Sequence, residues 1–244
     1  MYISYKGTNY HGWQMQDNAI TIQQVITETL QVLLRDLNVS IVGSGRTDTG
    51  VHASEQVFHT DIKEDVNLEK LVYKLNGILP DDIVVNKIEK VKEEAHTRFD
   101  ATSRSYEYHL RIVKSPFCRD EEYYYPVDLN FKAMNQAASC LLGEHDFQSF
   151  SKVKTEVNNF ICTITRAEWE LQEGKAVFHV SANRFLRGMV RAIVGTLLLV
   201  GEGKMKPEEI TQVMKQKNRS AAGRAVPAKG LYLCKVEYPE SIKI

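Results

Sequence analysis

Gly43-Ser44-Gly45-Arg46-Thr47-Asp48-Thr49-Gly50-Val51-His52-Ala53 sets three glycines around one guanidinium and one carboxylate, between two apolar, strand-like segments at 39–42 and 57–62. Glycine adopts backbone angles closed to other residues and lets a second chain approach closely, so such a loop suits a ligand-facing turn. The same residues also suit an ordinary hairpin with an Asx-type turn at Asp48, because Asp and Gly are common turn formers. The local pattern leaves both readings open.

Outward from the loop, helix and strand signals alternate. Residues 2–5 read as a strand, and Thr21-Ile22-Gln23-Gln24 reads as a capping box opening a helix to about Leu37, with Ile22, Val25, Ile26, Val32 and Leu33 on its apolar face. A second helix is expected over 67–79, ended by Pro80, and a strand over 83–91. Residues 105–112 alternate strictly, with Tyr106, Tyr108, Leu110 and Ile112 on one face. The second half repeats this style. An Asn130-capped helix closes at Gly143, strands follow near 161–171 and 176–181, and a helix opens at Pro207. Residues 231–236 make a last strand. This order implies an α+β fold, a largely antiparallel sheet flanked by helices, built from two related subdomains.

The chain has 244 residues, 43% hydrophobic and 25% charged, with zero formal net charge, which suits a globular protein with substantial cores. The charge is uneven: from Arg184 to Lys229 there are ten Lys or Arg (184, 187, 191, 204, 206, 215, 217, 219, 224, 229) against Glu202, Glu208 and Glu209. One face could therefore attract an anion, and a solvated helix surface explains the same pattern. The four cysteines are scattered, with no C-x-x-C pair or metal-finger spacing, so no metal site is expected. The first residues do not resemble a signal peptide, and the apolar run 185–200 is short for a membrane span and carries Arg187 and Arg191. The expectation is a cytoplasmic protein with reduced thiols and a buried helix at 185–200.

Five stretches carry a resemblance in order: Asn9-Tyr10-His11-Gly12-Trp13-Gln14, the Gly-Arg-Thr-Asp-Thr-Gly-Val-His-Ala loop, Ser103-Arg104-Ser105-Tyr106-Glu107-Tyr108, the run from Asn183 to Gly195, and Ala228-Lys229-Gly230-Leu231-Tyr232-Leu233. Together they resemble the TruA family of tRNA pseudouridine synthases over nearly the whole chain. The resemblance implies the pseudouridine synthase fold, two similar subdomains sharing one continuous sheet. It reads as a single catalytic domain, 1–244, with approximate subdomains 1–115 and 116–244 and the active-site cleft between them. It implies a cofactor-free isomerase, with no metal, that turns uridine into pseudouridine in the anticodon stem-loop of tRNA, at tRNA positions 38 to 40, and works as a homodimer. Asp48 matches the family's nucleophilic aspartate, Tyr106 its active-site tyrosine, Arg46 an arginine that helps displace the target nucleotide, and Arg191 an arginine that partners the aspartate. Arg184 and Arg187 fall where substrate phosphates would be gripped. Gly188 departs from the pattern, standing where a larger polar residue often precedes Met-Val-Arg.

The residue types suit that chemistry independently. Moving uracil from an N-glycosidic to a C-glycosidic bond requires a group that holds the sugar or base, or stabilises a charged fragment, and a carboxylate does either. Attack at ribose C1′, addition at uracil C6 and a glycal route all remain open. A stacked nucleotide must be extruded first, and Arg46 in a glycine loop could fill the vacated space. Tyr106 could hold the flipped base, whereas Tyr108 reads as core. His11 and His52 suit turn or packing roles, and Trp13 suits the core. A non-catalytic RNA-binding protein would not need Asp48, and an aspartyl hydrolase should carry a second acid or base in these motifs.

Overall fold

The structure, a computed structural model, describes residues 1–62, 66–153 and 159–244. In chain order these hold strand β1 (Tyr2–Tyr5), helix α1 (Ile22–Leu34), β2 (Val42–Gly43), β3 (His52–His59), α2 (Leu68–Ile78), β4 (Ile83–Lys87), β5 (Ser103–Arg111), β6 (Tyr123–Tyr124), α3 (Phe131–Ser139), β7 (Gly143–Asp146), β8 (Ile161–Gln172), β9 (Lys175–Ala182), α4 (Met189–Gly201), α5 (Glu209–Lys215) and β10 (Leu231–Glu237). The α+β expectation holds. The chain divides into two compact units, Met1–Thr102 with Tyr232–Ile244, and Ser103–Leu231.

In the first unit β1 lies antiparallel between β3 and β4, β2 pairs the far end of β3, and β10 joins β3 in parallel through Tyr232 opposite His52. Helix α1 starts where its cap predicts, since the Thr21 hydroxyl accepts the Gln24 N–H at 3.3 Å. Only half of the capping box forms: the Gln24 amide donates to Glu28 at 2.9 Å instead of returning to the cap. The helix ends at Leu34 rather than near Leu37, because Arg35 turns left-handed at φ 53°. Its buried face is Ile22, Ile26, Thr27, Thr29 and Leu30, and Val32 is 70% exposed, contrary to the apolar face expected. Helix α2 is capped by Asn67 and pinned to β4 by Asn76, whose side chain accepts the Val85 N–H at 2.8 Å and donates to the Val85 carbonyl at 2.9 Å.

The second unit uses the same device. Asn135 on α3 accepts the Trp169 N–H at 2.7 Å and donates to its carbonyl at 3.1 Å, so one amide satisfies both backbone groups of one β8 residue. Strands β5, β9, β8 and β7 pair antiparallel in that order, and β6 lies parallel to β5. Tyr108 and Leu110 point into the core as the alternation predicts. The apolar run becomes α4, which starts at Met189 rather than Phe185 and buries eleven residues. No helix among the described residues is long and apolar enough to cross a membrane.

Two glycines give opposite expectations for stability. A Cβ on Gly195 would lie 1.8 Å from the Arg224 carbonyl oxygen, backbone that cannot step aside alone, whereas a Cβ on Gly77 in α2 meets nothing within 4 Å. Gly195→Ala should therefore lower unfolding free energy by about 3 kcal/mol through overpacking. Gly77→Ala should raise it by roughly 0.5–1 kcal/mol through lower chain entropy. Urea unfolding of the two variants checks this, and equal midpoints would refute it.

Candidate active site

Asp48 and Arg46 share the loop between β2 and β3, in the first unit. The loop is held at both ends and along its length. Ser44 N–H donates to the Val57 carbonyl at 2.8 Å, and the buried Gln56 amide donates to the Gly45 carbonyl at 3.0 Å while accepting the Ser44 hydroxyl. The Thr47 hydroxyl pairs with the Tyr5 hydroxyl at 2.8 Å, and its carbonyl accepts the Trp13 N–H at 3.2 Å. Val51 N–H closes a turn onto the Asp48 carbonyl at 3.1 Å. The backbone does turn at Asp48, through a main-chain bond.

The 9–14 segment braces this turn from outside. Gly12 has φ 85°, and a Cβ there would fall 2.4 Å from the Thr47 carbonyl oxygen and 3.1 Å from the Asp48 carbonyl carbon. Only glycine permits both the angle and the approach. Gly50 N–H donates to the Tyr10 carbonyl at 3.3 Å. Trp13 is 1% exposed and packs against Tyr5 and Phe58, so it is core, as expected. Asp48 itself is half-buried, and Arg46 is exposed, its Nε donating to Gln14 Oε1 at 3.1 Å.

Histidine 52 takes the packing role expected of it. It is 1% exposed, its Nδ1 accepts the Gly7 N–H at 3.2 Å, and its ring stacks on Tyr232 with centroids 4.6 Å apart. His11 is exposed, and its backbone N–H closes onto the Ile20 carbonyl at 2.9 Å.

The remaining expected residues lie in the second unit. Tyr106 sits on β5 opposite Val180 of β9, half-buried, and its ring meets Phe185 edge-on at 5.1 Å and 84°. That contact joins the tyrosine to the segment carrying Arg184, Arg187 and Arg191. Two residues along, Tyr108 is fully buried, donates to the Pro227 carbonyl at 2.9 Å, and has its hydroxyl pKa pushed up by burial, so it serves as core. Gly188 caps α4 in the left-handed region at φ 72°, which accounts for a glycine at that departure from the family pattern.

Arg191 lies in the first turn of α4, half-buried, with its Nε donating to the Val226 carbonyl at 2.7 Å while Val226 N–H returns to the Arg191 carbonyl at 3.2 Å. A cation at a helix N-terminus works against the helix dipole, an arrangement that suits a nearby anion. Arg187 is exposed and Arg184 half-buried. The basic segment is only partly available to a ligand. Lys204 pairs with Glu202, Lys217 pairs with Asp146 at 2.8 Å, Lys229 donates to the Arg119 carbonyl, and Arg219 donates to the carbonyls of Ala222 and Gly223. Arg187, Lys206, Lys215 and Arg224 are exposed.

Sequence reasoning missed the polar residues that hold the loop, Gln56, Thr47 and Tyr5. Each looks like an ordinary strand or turn residue, and only a contact across 11 to 42 positions makes it part of the site. None of the four cysteines is in a disulfide, and burial pushes the Cys162 thiol up to about 11.

A family model described as tRNA pseudouridine synthase matches residues 1–100 and 137–239. A protein of Bacteroides fragilis named tRNA pseudouridine synthase A is 47% identical over 244 residues, covering 99% of this chain and 96% of its own length. A namesake from Thermoanaerobacter pseudethanolicus is 40% identical, covering 97% of each chain. With a family model matched across most of its length and relatives aligned nearly end to end, the chain belongs to the tRNA pseudouridine synthase family.

Proposed function

We propose that this protein isomerises uridine to pseudouridine in the anticodon stem-loop of tRNA, at tRNA positions 38 to 40, with Asp48 as nucleophile on a flipped-out uridine. The observation that carries this reading is the Asp48 turn: a half-buried acid on a backbone fixed by the 9–14 segment and by Gln56, as a preorganised nucleophile requires. Tyr106 takes the face of the flipped base, Arg46 the space it leaves, and Arg191 is the cation that partners the acid. The enzyme works in the cytoplasm without a cofactor, as a homodimer with one tRNA lying across both subunits. Incubation with an unmodified tRNA transcript, followed by pseudouridine mapping, tests the reaction. Product in the anticodon arm is expected, and product elsewhere in the tRNA or none at all refutes it. Light scattering should give twice the mass of the chain, and a stable monomer at micromolar concentration refutes the dimer.

Arg184 and Arg187 grip substrate phosphates, with Lys206, Lys215 and Arg224 as further exposed cations. These contacts orient the RNA without reading its sequence. If about four phosphates are neutralised, affinity should fall by about a hundredfold between roughly 50 and roughly 200 mM salt, despite zero net charge. A titration across that range checks it, and a flat affinity rules the basic surface out.

A further inference from the structure

We infer that Gln14 and Gln23 are positioning residues that aim the Arg46 guanidinium, which rests on the reading of Arg46 as the group that displaces the target nucleotide. Three hydrogen bonds run in one direction. Gln23 Nε2 donates to the Ile41 carbonyl at 3.0 Å. Gln23 Oε1, so placed, accepts Gln14 Nε2 at 2.9 Å and also the Met15 N–H at 2.9 Å. Gln14 Oε1 then accepts Arg46 Nε at 3.1 Å.

The direction matters because the two ends of a carboxamide differ: one only donates and the other only accepts. A backbone carbonyl at Ile41 and a backbone N–H at Met15 can be matched only if Gln23 turns its nitrogen to the first and its oxygen to the second. That choice obliges Gln14 to turn its nitrogen toward Gln23, leaving oxygen toward position 46. An acceptor there matches a guanidinium Nε–H. Reversing any one amide would face two donors or two acceptors, so the chain of bonds holds a single orientation.

Its anchors are rigid. Ile41 is buried, Gln23 stands in the first turn of α1, and Gln14 follows the buried Trp13. Arg46, by contrast, is exposed and long, with considerable rotamer freedom to lose. Binding at Nε restricts the plane in which the guanidinium lies. A group that must enter an RNA stack during extrusion gains from being held in that plane beforehand.

The test compares single-turnover pseudouridine formation on two tRNAs. One has the target uridine base-paired, and the other has its partner base changed so that the uridine is already unpaired. Extrusion limits the first far more than the second. Gln14→Leu should slow the paired substrate by about tenfold, the order expected for one hydrogen bond to a charged group, and the unpaired one by less than about threefold. Gln23→Leu should act in the same direction, and so should Gln23→Glu, which keeps the acceptor for Gln14 and Met15 but faces the Ile41 carbonyl with a second acceptor. In an Arg46→Lys background, which has no Nε–H fork, Gln14→Leu should add nothing. Equal loss on both substrates, no loss on the paired one, or additivity with Arg46→Lys overturns the relay. A wild-type enzyme that modifies neither tRNA would instead overturn the function on which it rests.

Discussion

Replacement of Asp48 by asparagine is expected to abolish pseudouridine formation while leaving the fold and tRNA affinity in place. The backbone at Asp48 is held by contacts in which its carboxylate takes no part: the Asp48 carbonyl accepts Val51 N–H, and Gly12 packs against the Thr47–Asp48 peptide. An isosteric amide disturbs none of these, so the melting temperature should not move by more than a few degrees and the Kd for tRNA by more than about threefold. The amide is, however, neither a usable nucleophile nor a negative charge. In each route left open, attack at C1′, addition at C6 or a glycal path, the Asp48 carboxylate is the group proposed to act. Loss of a nucleophile in this sense costs a thousandfold or more, on the order of 10⁶ in the best-measured enzymes. Single-turnover assays with excess enzyme check the prediction. A residual rate within tenfold of wild type would falsify the assignment.

Tyr106→Phe is expected to leave binding intact and to slow product formation by about 10²–10⁴. During the reaction the C1′–N1 bond breaks, the uracil turns, and a C1′–C5 bond forms. C5 then still carries its hydrogen, which must leave as a proton while N1 gains one. Asp48 is occupied if it holds the sugar or base, and the Tyr106 oxygen, directly or through water, is the base proposed for that step. Its ring is placed by neighbours that do not use the hydroxyl, namely Phe185 at its edge and the Val180 pairing of β5 with β9. Phenylalanine therefore keeps the ring and its stacking on the base while removing the proton acceptor. The same variant should still rearrange tRNA containing 5-fluorouridine, where C5 has no hydrogen to lose. Near-normal turnover of ordinary tRNA would make Tyr106 a packing residue. Failure on the fluorinated substrate as well would place its role earlier, in flipping or holding the base.

Much of the local structure was legible because its causes lie within a few residues. Thr21, Asn67 and Asn130 each accept the N–H three positions on, so the start of each helix is written in its own first turn. The alternation of 105–112 placed Tyr108 and Leu110 inward for the same reason. Strand limits were less legible. Strand β3 begins at His52, five residues before the expected 57, because its first residues pair with β1 and with the distant β10. The short strands β6 and β7 went unseen, as two and four residues carry no period of their own and exist only through β5 and β8. Val32 belongs to the helical apolar pattern yet faces water, since nothing packs over that end of α1 closely enough to bury it.

The family and the chemistry of its candidate residues were determined by the sequence itself: an acid, an arginine and a glycine turn in one loop, a tyrosine in an alternating strand, and arginines leading into an apolar helix. These are statements about residue type and order, and chain order preserves them. What only the tertiary structure decided is the company each residue keeps. His52 became a buried acceptor for Gly7, Gly12 became the brace under Asp48, and Gln14 with Gln23 became the mount of Arg46. The physical reason is that hydrogen bonds and packing act over a few ångströms, whatever the separation in sequence. A glutamine's role depends on which carbonyl or N–H the fold brings to each end of its amide, and no local pattern encodes that.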